Sequence, residues 1–222
     1  MNNFLNNFSF NSIDMKATNL LPCPDQYVTT YNDEKLTSRT YDSIEYNYDT
    51  QGNHCCTNLK QHIIAILLES PHKDEYETIN GVLSPKGPLV RKWNTFFSIF
   101  PETIKQSKIY KKINTQLVYN IVFVNAIQYQ CSLGKELRGK NSYQKQKNMN
   151  VINCWWMGFN KDLEKRLEAL RPEMIINLSG KSNEISEKID LMIQNNQELS
   201  KVFMTKGSHP STWKKRGQKY ID

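Results

Sequence analysis

Two short stretches far apart in this chain carry side chains of the kinds that do chemistry. They are Glu69-Ser70-Pro71-His72 and Gly207-Ser208-His209-Pro210-Ser211, with Asn125 between them. A carboxylate such as Glu69 can orient a water and offset a developing positive charge. An imidazole such as His209 can donate to an oxygen on which negative charge builds. The Asn125 carboxamide offers a donor and an acceptor side by side. Each residue also has a plain structural reading: Glu69 as a solvated or helix-capping carboxylate, Asn125 as a strand-end turn residue, and His209 as a structural residue in a loop fixed by proline.

Residues so distant act together only if the fold gathers them. Residues 63–68 form a continuous apolar, largely β-branched run, the pattern of a strand covered on both faces. Similar runs at 118–124, 174–178 and 201–205 predict three more strands. Between them lie helical stripes. Leu89, Trp93, Phe96, Phe97 and Phe100 share one, and a second, more basic helix is expected over 101–112. Ile152, Trp156, Phe159, Leu163, Leu167 and Leu170 make a long helix stopped at Arg171-Pro172. Ile185, Ile189 and Met192 follow an N-cap at Asn183. The resulting order, β-α-β-α-β-α-β, predicts an α/β protein. Its expected form is a three-layer α/β/α sandwich with a central, mainly parallel four-stranded sheet and right-handed crossovers. Parallel strands share a direction, so the loops that follow them gather on one edge. That edge would hold Glu69-Ser70-Pro71-His72, Asn125, Ser179-Gly180 and His209-Pro210-Ser211, where open α/β sheets bind ligands.

Residues 1–20 are rich in Asn and read as a loosely docked arm. Residues 22–58 carry turn formers and tyrosines (Tyr41, Tyr46, Tyr48) and read as irregular, with room for a helix or short strands. The expected division is therefore an arm and lead-in over 1–58 and an α/β domain over 59–222. No run approaches the roughly 18 apolar residues of a membrane span, and no secretory signal is recognisable, so a cytoplasmic protein is expected. The net charge of +7 suits a polyanionic partner such as nucleic acid, and equally a solvated basic surface. The five cysteines are odd in number and lack C-x-x-C spacing, the pattern of reduced thiols. No Gly-rich phosphate loop and no G-x-S-x-G elbow is present, which argues against nucleotide-cofactor enzymes and serine hydrolases of that type.

Taken in order, these segments resemble the uracil-DNA glycosylase superfamily, over about residues 62–213. Leu68-Glu69-Ser70-Pro71-His72 resembles the first motif of its iron–sulfur branch at the Glu and the Pro. Gly87-Pro88-Leu89-Val90 is similar to a second segment and Asn125-Ala126-Ile127-Gln128 to the Asn-bearing strand end. Leu170-Arg171-Pro172 leading into 175–180 resembles a Leu-Arg-Pro, apolar strand and Gly pattern, and His209-Pro210-Ser211 the C-terminal loop. The resemblance implies hydrolysis of the N-glycosidic bond of a flipped-out uracil or modified pyrimidine in DNA, leaving an abasic site. Such an activity would serve base-excision repair or defence against phage with modified DNA. Glu69 and His209 would be catalytic, and Asn125, His72, Leu89 and Ser70 would meet the base. Ser211, Trp213, Lys214, Lys215 and Arg216 would bind DNA, with Trp213 as a wedge in the base stack. For Trp213 the alternative is a place in the core.

The chain departs from that branch at identifiable positions. Cys154 stands where one cluster ligand is expected, but Tyr129 occupies another such site, Cys131 lies two residues late, and only Cys23 represents the N-terminal pair. No iron–sulfur cluster or other cofactor is therefore expected. Leu89 replaces a base-stacking aromatic, and His72 replaces a glycine, which opens the choice between uracil and a modified pyrimidine. A monomer acting on DNA, with no membrane partner, is expected. The rival reading is a non-catalytic nucleic-acid-binding module on the same scaffold.

Overall fold

The computed structural model describes residues 23–37, 42–48, 54–56, 62–71, 76–79, 82–85, 90–128, 158–180, 184–213 and 218–222. The strands are β1 (Gln26–Asn32), β2 (Lys35–Leu36), β3 (Asp42–Ser43), β4 (Tyr46–Tyr48), β5 (His54–Cys56), β6 (Ile63–Leu68), β7 (Tyr76–Ile79), β8 (Val82–Pro85), β9 (Tyr119–Asn125), β10 (Met174–Asn177) and β11 (Phe203–Lys206). The helices are α1 (Val90–Lys105), α2 (Asn160–Leu170) and α3 (Glu184–Asn195).

The main sheet is mixed and seven-stranded, in the order β11-β10-β6-β9-β1-β2, with β3 also paired to β1. Its heart is the predicted set: β9, β6, β10 and β11 run parallel to one another. The four-stranded expectation is corrected on the β9 side, where β1 pairs antiparallel and carries β2 and β3. These strands come from the lead-in segment read as irregular. Polar Gln26, Thr29, Thr30 and Asn32 break up an apolar pattern in β1, and a bulge between Tyr27 and Thr29 interrupts its alternation. Burial against β9 therefore decides its conformation. Two hairpins, β4–β5 and β7–β8, lie outside the main sheet, the second within a stretch expected to be loop.

Every residue of β6 is buried, because the strand is central and covered on both faces. Its alternate side chains divide between two cores. Ile64, Ile66 and Leu68 join Phe96, Phe100 and Ile104 of α1 on one face. Ile63, Ala65 and Leu67 join Leu163 and Leu167 of α2 and Ile185 and Ile189 of α3 on the other.

Helix α1 runs through Pro101, where a break was expected, and residues 108–112 form a short 3-10 helix rather than a second α-helix. An interior proline costs about 3 kcal/mol. The stripe of Phe96, Phe97, Phe100 and Ile104 is buried as one unit, however, and keeping it on one axis outweighs the lost hydrogen bond. Helix α2 stops where expected: Arg171 adopts a left-handed conformation (φ 50°) and its N–H closes on the Leu167 carbonyl. The part of that predicted helix before residue 158 and the Asn183 cap lie outside the described residues. Among the described residues, no helix is long and apolar enough to cross a membrane.

Candidate functional site

The chain leaves β6 for β9 on one side and then crosses to β10 and β11 on the other. The order therefore reverses between β6 and β10, and the crevice beyond their carboxyl ends is where doubly wound sheets take ligands. The register brings the strand ends level. Asn177 lies opposite both Leu67 and Lys206, and Leu68 lies opposite Asn125. Two residues beyond the Leu67–Asn177–Lys206 row stand Glu69, Ser179 and Ser208, with His209 next in its loop. Neighbouring strands are about 4.8 Å apart, so the strand ends bearing Glu69 and Asn125 adjoin, and that bearing His209 lies about 10 Å from the end of β6.

Glu69 and Asn125 are both 6% exposed. Beyond the ladder, the Ala126 N–H donates to the Leu68 carbonyl (2.8 Å) and the Ile127 N–H to the Glu69 carbonyl (3.1 Å). Along β9, Tyr119, Ile121 and Phe123 face α1. Alternation then puts the Asn125 side chain on that same side, level with Leu68.

On the opposite face the backbone is gripped by a buried ion pair. Arg166 of α2 donates from Nη1 to both carboxylate oxygens of Asp25 (2.8 and 2.7 Å) and from Nε to Asp162 (2.8 Å). Its Nη2 donates to the carbonyls of Asn125 (3.0 Å) and Ala126 (3.5 Å). The Tyr46 hydroxyl donates to Asp25 Oδ2 at 2.7 Å. Burial pushes the Asp25 carboxyl up, and the Arg166 guanidinium and Tyr46 hydroxyl pull it back only in part. For Arg166, burial presses the pKa down, and the carboxylates of Asp25 and Asp162 override it and raise it.

Among the described residues, the β10–β11 side holds no fully buried ion pair. The fully buried Asn177 donates to Asp190 Oδ1 (2.8 Å) and the Ser186 carbonyl (3.2 Å). Its own oxygen accepts from the Ser179 N–H (3.2 Å) and hydroxyl (2.6 Å). Lys206 pairs with Asp190 at the surface of this network.

The His209 loop is clamped by the end of the chain. Ile221 bridges Gly207, the Ser208 N–H donates to the Tyr220 carbonyl (2.9 Å), and Trp213 Nε1 donates to the Ser208 carbonyl (2.9 Å). A side chain at position 207 would come within 2.5 Å of the Tyr220 carbonyl and 2.6 Å of Leu178, so only glycine fits. The Trp213 ring stacks on Phe96 and Tyr220, each at 5.1 Å between centroids. His209 itself is half-buried. The neighbouring Ser208 hydroxyl is buried and has no hydrogen-bond partner among the described residues.

The predicted residues thus fall into three groups. Glu69, Ser70, Asn125 and His209 lie on one edge, with Ser70 half-buried, and Ser211 lies beside them in a short 3-10 turn, Pro210–Thr212. Trp213 is 3% exposed and takes the packing role, which corrects its assignment as a DNA wedge: its ring is already committed to the α1 core. His72, Leu89, Lys214, Lys215 and Arg216 lie outside the described residues, as do Tyr129, Cys131 and Cys154. Among the described residues, no group of three or more His, Cys, Asp or Glu side chains is arranged to hold a metal.

Arg166, Asp25, Asn177 and Asp190 were not anticipated. The signal for Arg166 was present, since it interrupts the apolar stripe of Leu163, Leu167 and Leu170, and a charge in such a stripe is buried only when paired. Fold and site together define an α/β protein with polar residues gathered at the carboxyl edge of its parallel strands. No family model, no curated protein and no solved structure matches the chain.

Proposed function

We propose that this chain is a DNA glycosylase that hydrolyses the N-glycosidic bond of a flipped-out uracil or modified pyrimidine. The observation that carries the reading is that three unlike polar groups follow parallel strands onto one sheet edge. Glu69 and Asn125 stand at the ends of adjoining strands, both nearly buried, and His209 follows a strand of the same direction. Glycosidic cleavage develops positive charge on the sugar and negative charge on the departing base. Glu69 orients the water and offsets the first. His209 donates to a base carbonyl and stabilises the second, and Asn125 reads the base edge with a donor and an acceptor. The Ser208 hydroxyl, buried with no partner among the described residues, adds a hydrogen-bonding group beside His209 that a bound base can satisfy. The basic balance of 29 Lys and Arg against 22 Asp and Glu favours a polyanion.

The test is strand cleavage by alkali after incubation with DNA containing uracil or modified cytosine. Wild type is expected to leave abasic sites in one of these. Glu69→Gln and His209→Ala should each slow base release by about 10²- to 10⁴-fold with little change in DNA affinity. No abasic product from any of these DNAs overturns the reading. Salt-dependent DNA binding without base release would instead identify a binding module.

A further inference from the structure

Arg166 has no place in the chemistry just described, yet its guanidinium is spent entirely at the site's back wall. Each of its three nitrogens has acceptors: Nη1 the two oxygens of Asp25, Nε Asp162, and Nη2 the carbonyls of Asn125 and Ala126. Those carbonyls belong to the same short stretch whose N–H groups, on Ala126 and Ile127, hold the carbonyls of Leu68 and Glu69. One side chain therefore grips the backbone from which both Asn125 and Glu69 hang. We propose that Arg166, oriented by Asp25, is the positioning residue of this site: it fixes the spacing of Glu69 and Asn125 without touching substrate.

The geometry demands arginine. A lysine has three donors on a flexible stem and cannot reach two carboxylates and two carbonyls in one plane. Asp25 lies ahead of β1, Arg166 is on α2, and Asn125 ends β9, so the clamp also ties the lead-in segment to the site. Tyr46, which donates to Asp25 Oδ2, orients the carboxylate in turn. A group that only supported the fold would be felt throughout the sheet. A positioning group is felt first at residues 125–127.

The kinetic part of the test rests on the glycosylase reading; the structural part does not. In the full chain, amide hydrogen exchange is compared between wild type and Arg166→Lys. The expected result is exchange at Ala126 and Ile127 faster by about tenfold, with the β6 amides of residues 64–67 unchanged. Single-turnover base release should fall by about 100-fold while DNA affinity stays within about threefold, the signature of misplaced groups. Tyr46→Phe is the milder variant should Arg166→Lys fail to fold, with a smaller acceleration, about threefold, confined to the same two amides. Unchanged exchange at Ala126 and Ile127, or equal acceleration there and across β6, overturns the proposal. If wild type releases no base, the glycosylase reading falls, and the exchange pattern still decides the positioning role.

Discussion

On the β6–β9 side of the carboxyl edge, a buried guanidinium between two carboxylates holds the backbone. On the β10–β11 side, the holding is done by an asparagine network, a stack of aromatic rings and the last residues of the chain. The first arrangement is directional and unforgiving, because a buried charge that loses its partner has no water to turn to. The second spreads its support over the Asn177 hydrogen bonds, a Lys206–Asp190 pair whose lysine is open to solvent, and apolar contact, so no single atom carries as much. The contrast follows what each side presents. Glu69 and Asn125 sit on adjoining strands and are nearly buried, whereas His209 is half-buried in a loop whose shape is set by close packing against Tyr220 and Trp213.

The sharpest way to break that contrast is Arg166→Ala. Leaving Asp25 buried without its counter-charge should cost about 3–5 kcal/mol in urea unfolding, and a cost below about 1 kcal/mol would mean the pair is not carrying the load. On the other side, Gly207→Ala forces a methyl group against the Tyr220 carbonyl and Leu178, and about 1–3 kcal/mol is expected. An alanine tolerated there with no change in melting would show that the C-terminal clamp is loose.

The smallest effect is one of pH. Burial raises the Asp25 carboxyl above its ordinary 3.8, so as pH falls the native state takes up that proton before the unfolded chain does. The native state then binds more protons than the unfolded chain. The contribution of Asp25 accordingly becomes more favourable as pH falls through the folded pKa toward 3.8, and less favourable as pH rises. The stability of wild type relative to Asp25→Asn should therefore rise on acidification from pH 7 to 4 when unfolding is followed at each pH. A difference that stays flat, or falls, would remove Asp25 as the titrating member of this half.

Much of the architecture was legible because burial on both faces leaves a plain mark. The runs at 63–68, 118–124 and 174–178 are strands almost to the residue, since a central parallel strand needs apolar side chains at every position. The end of α2 was legible from Arg171-Pro172 for an equally local reason. Other elements left weaker marks. The β7–β8 hairpin is flagged only by the Asn80-Gly81 dipeptide between its strands. The run of α1 through Pro101 contradicts a sound local rule because an apolar stripe on one face outvoted it.

The order of residues alone marked which segments could be core strands, in what succession, and hence that Glu69, Asn125 and His209 would follow strands onto one edge. These are local matters of periodicity and strand direction. Folding in three dimensions was needed to place Trp213 in the α1 core, to extend the sheet with β1, and to bring Arg166 to Asp25 and the Asn125 carbonyl. Each of those depends on groups brought together across long stretches of chain, where the partner rather than the residue sets the energy. A ring, a polar strand or a lone charge has no fixed place until the surface that buries it exists.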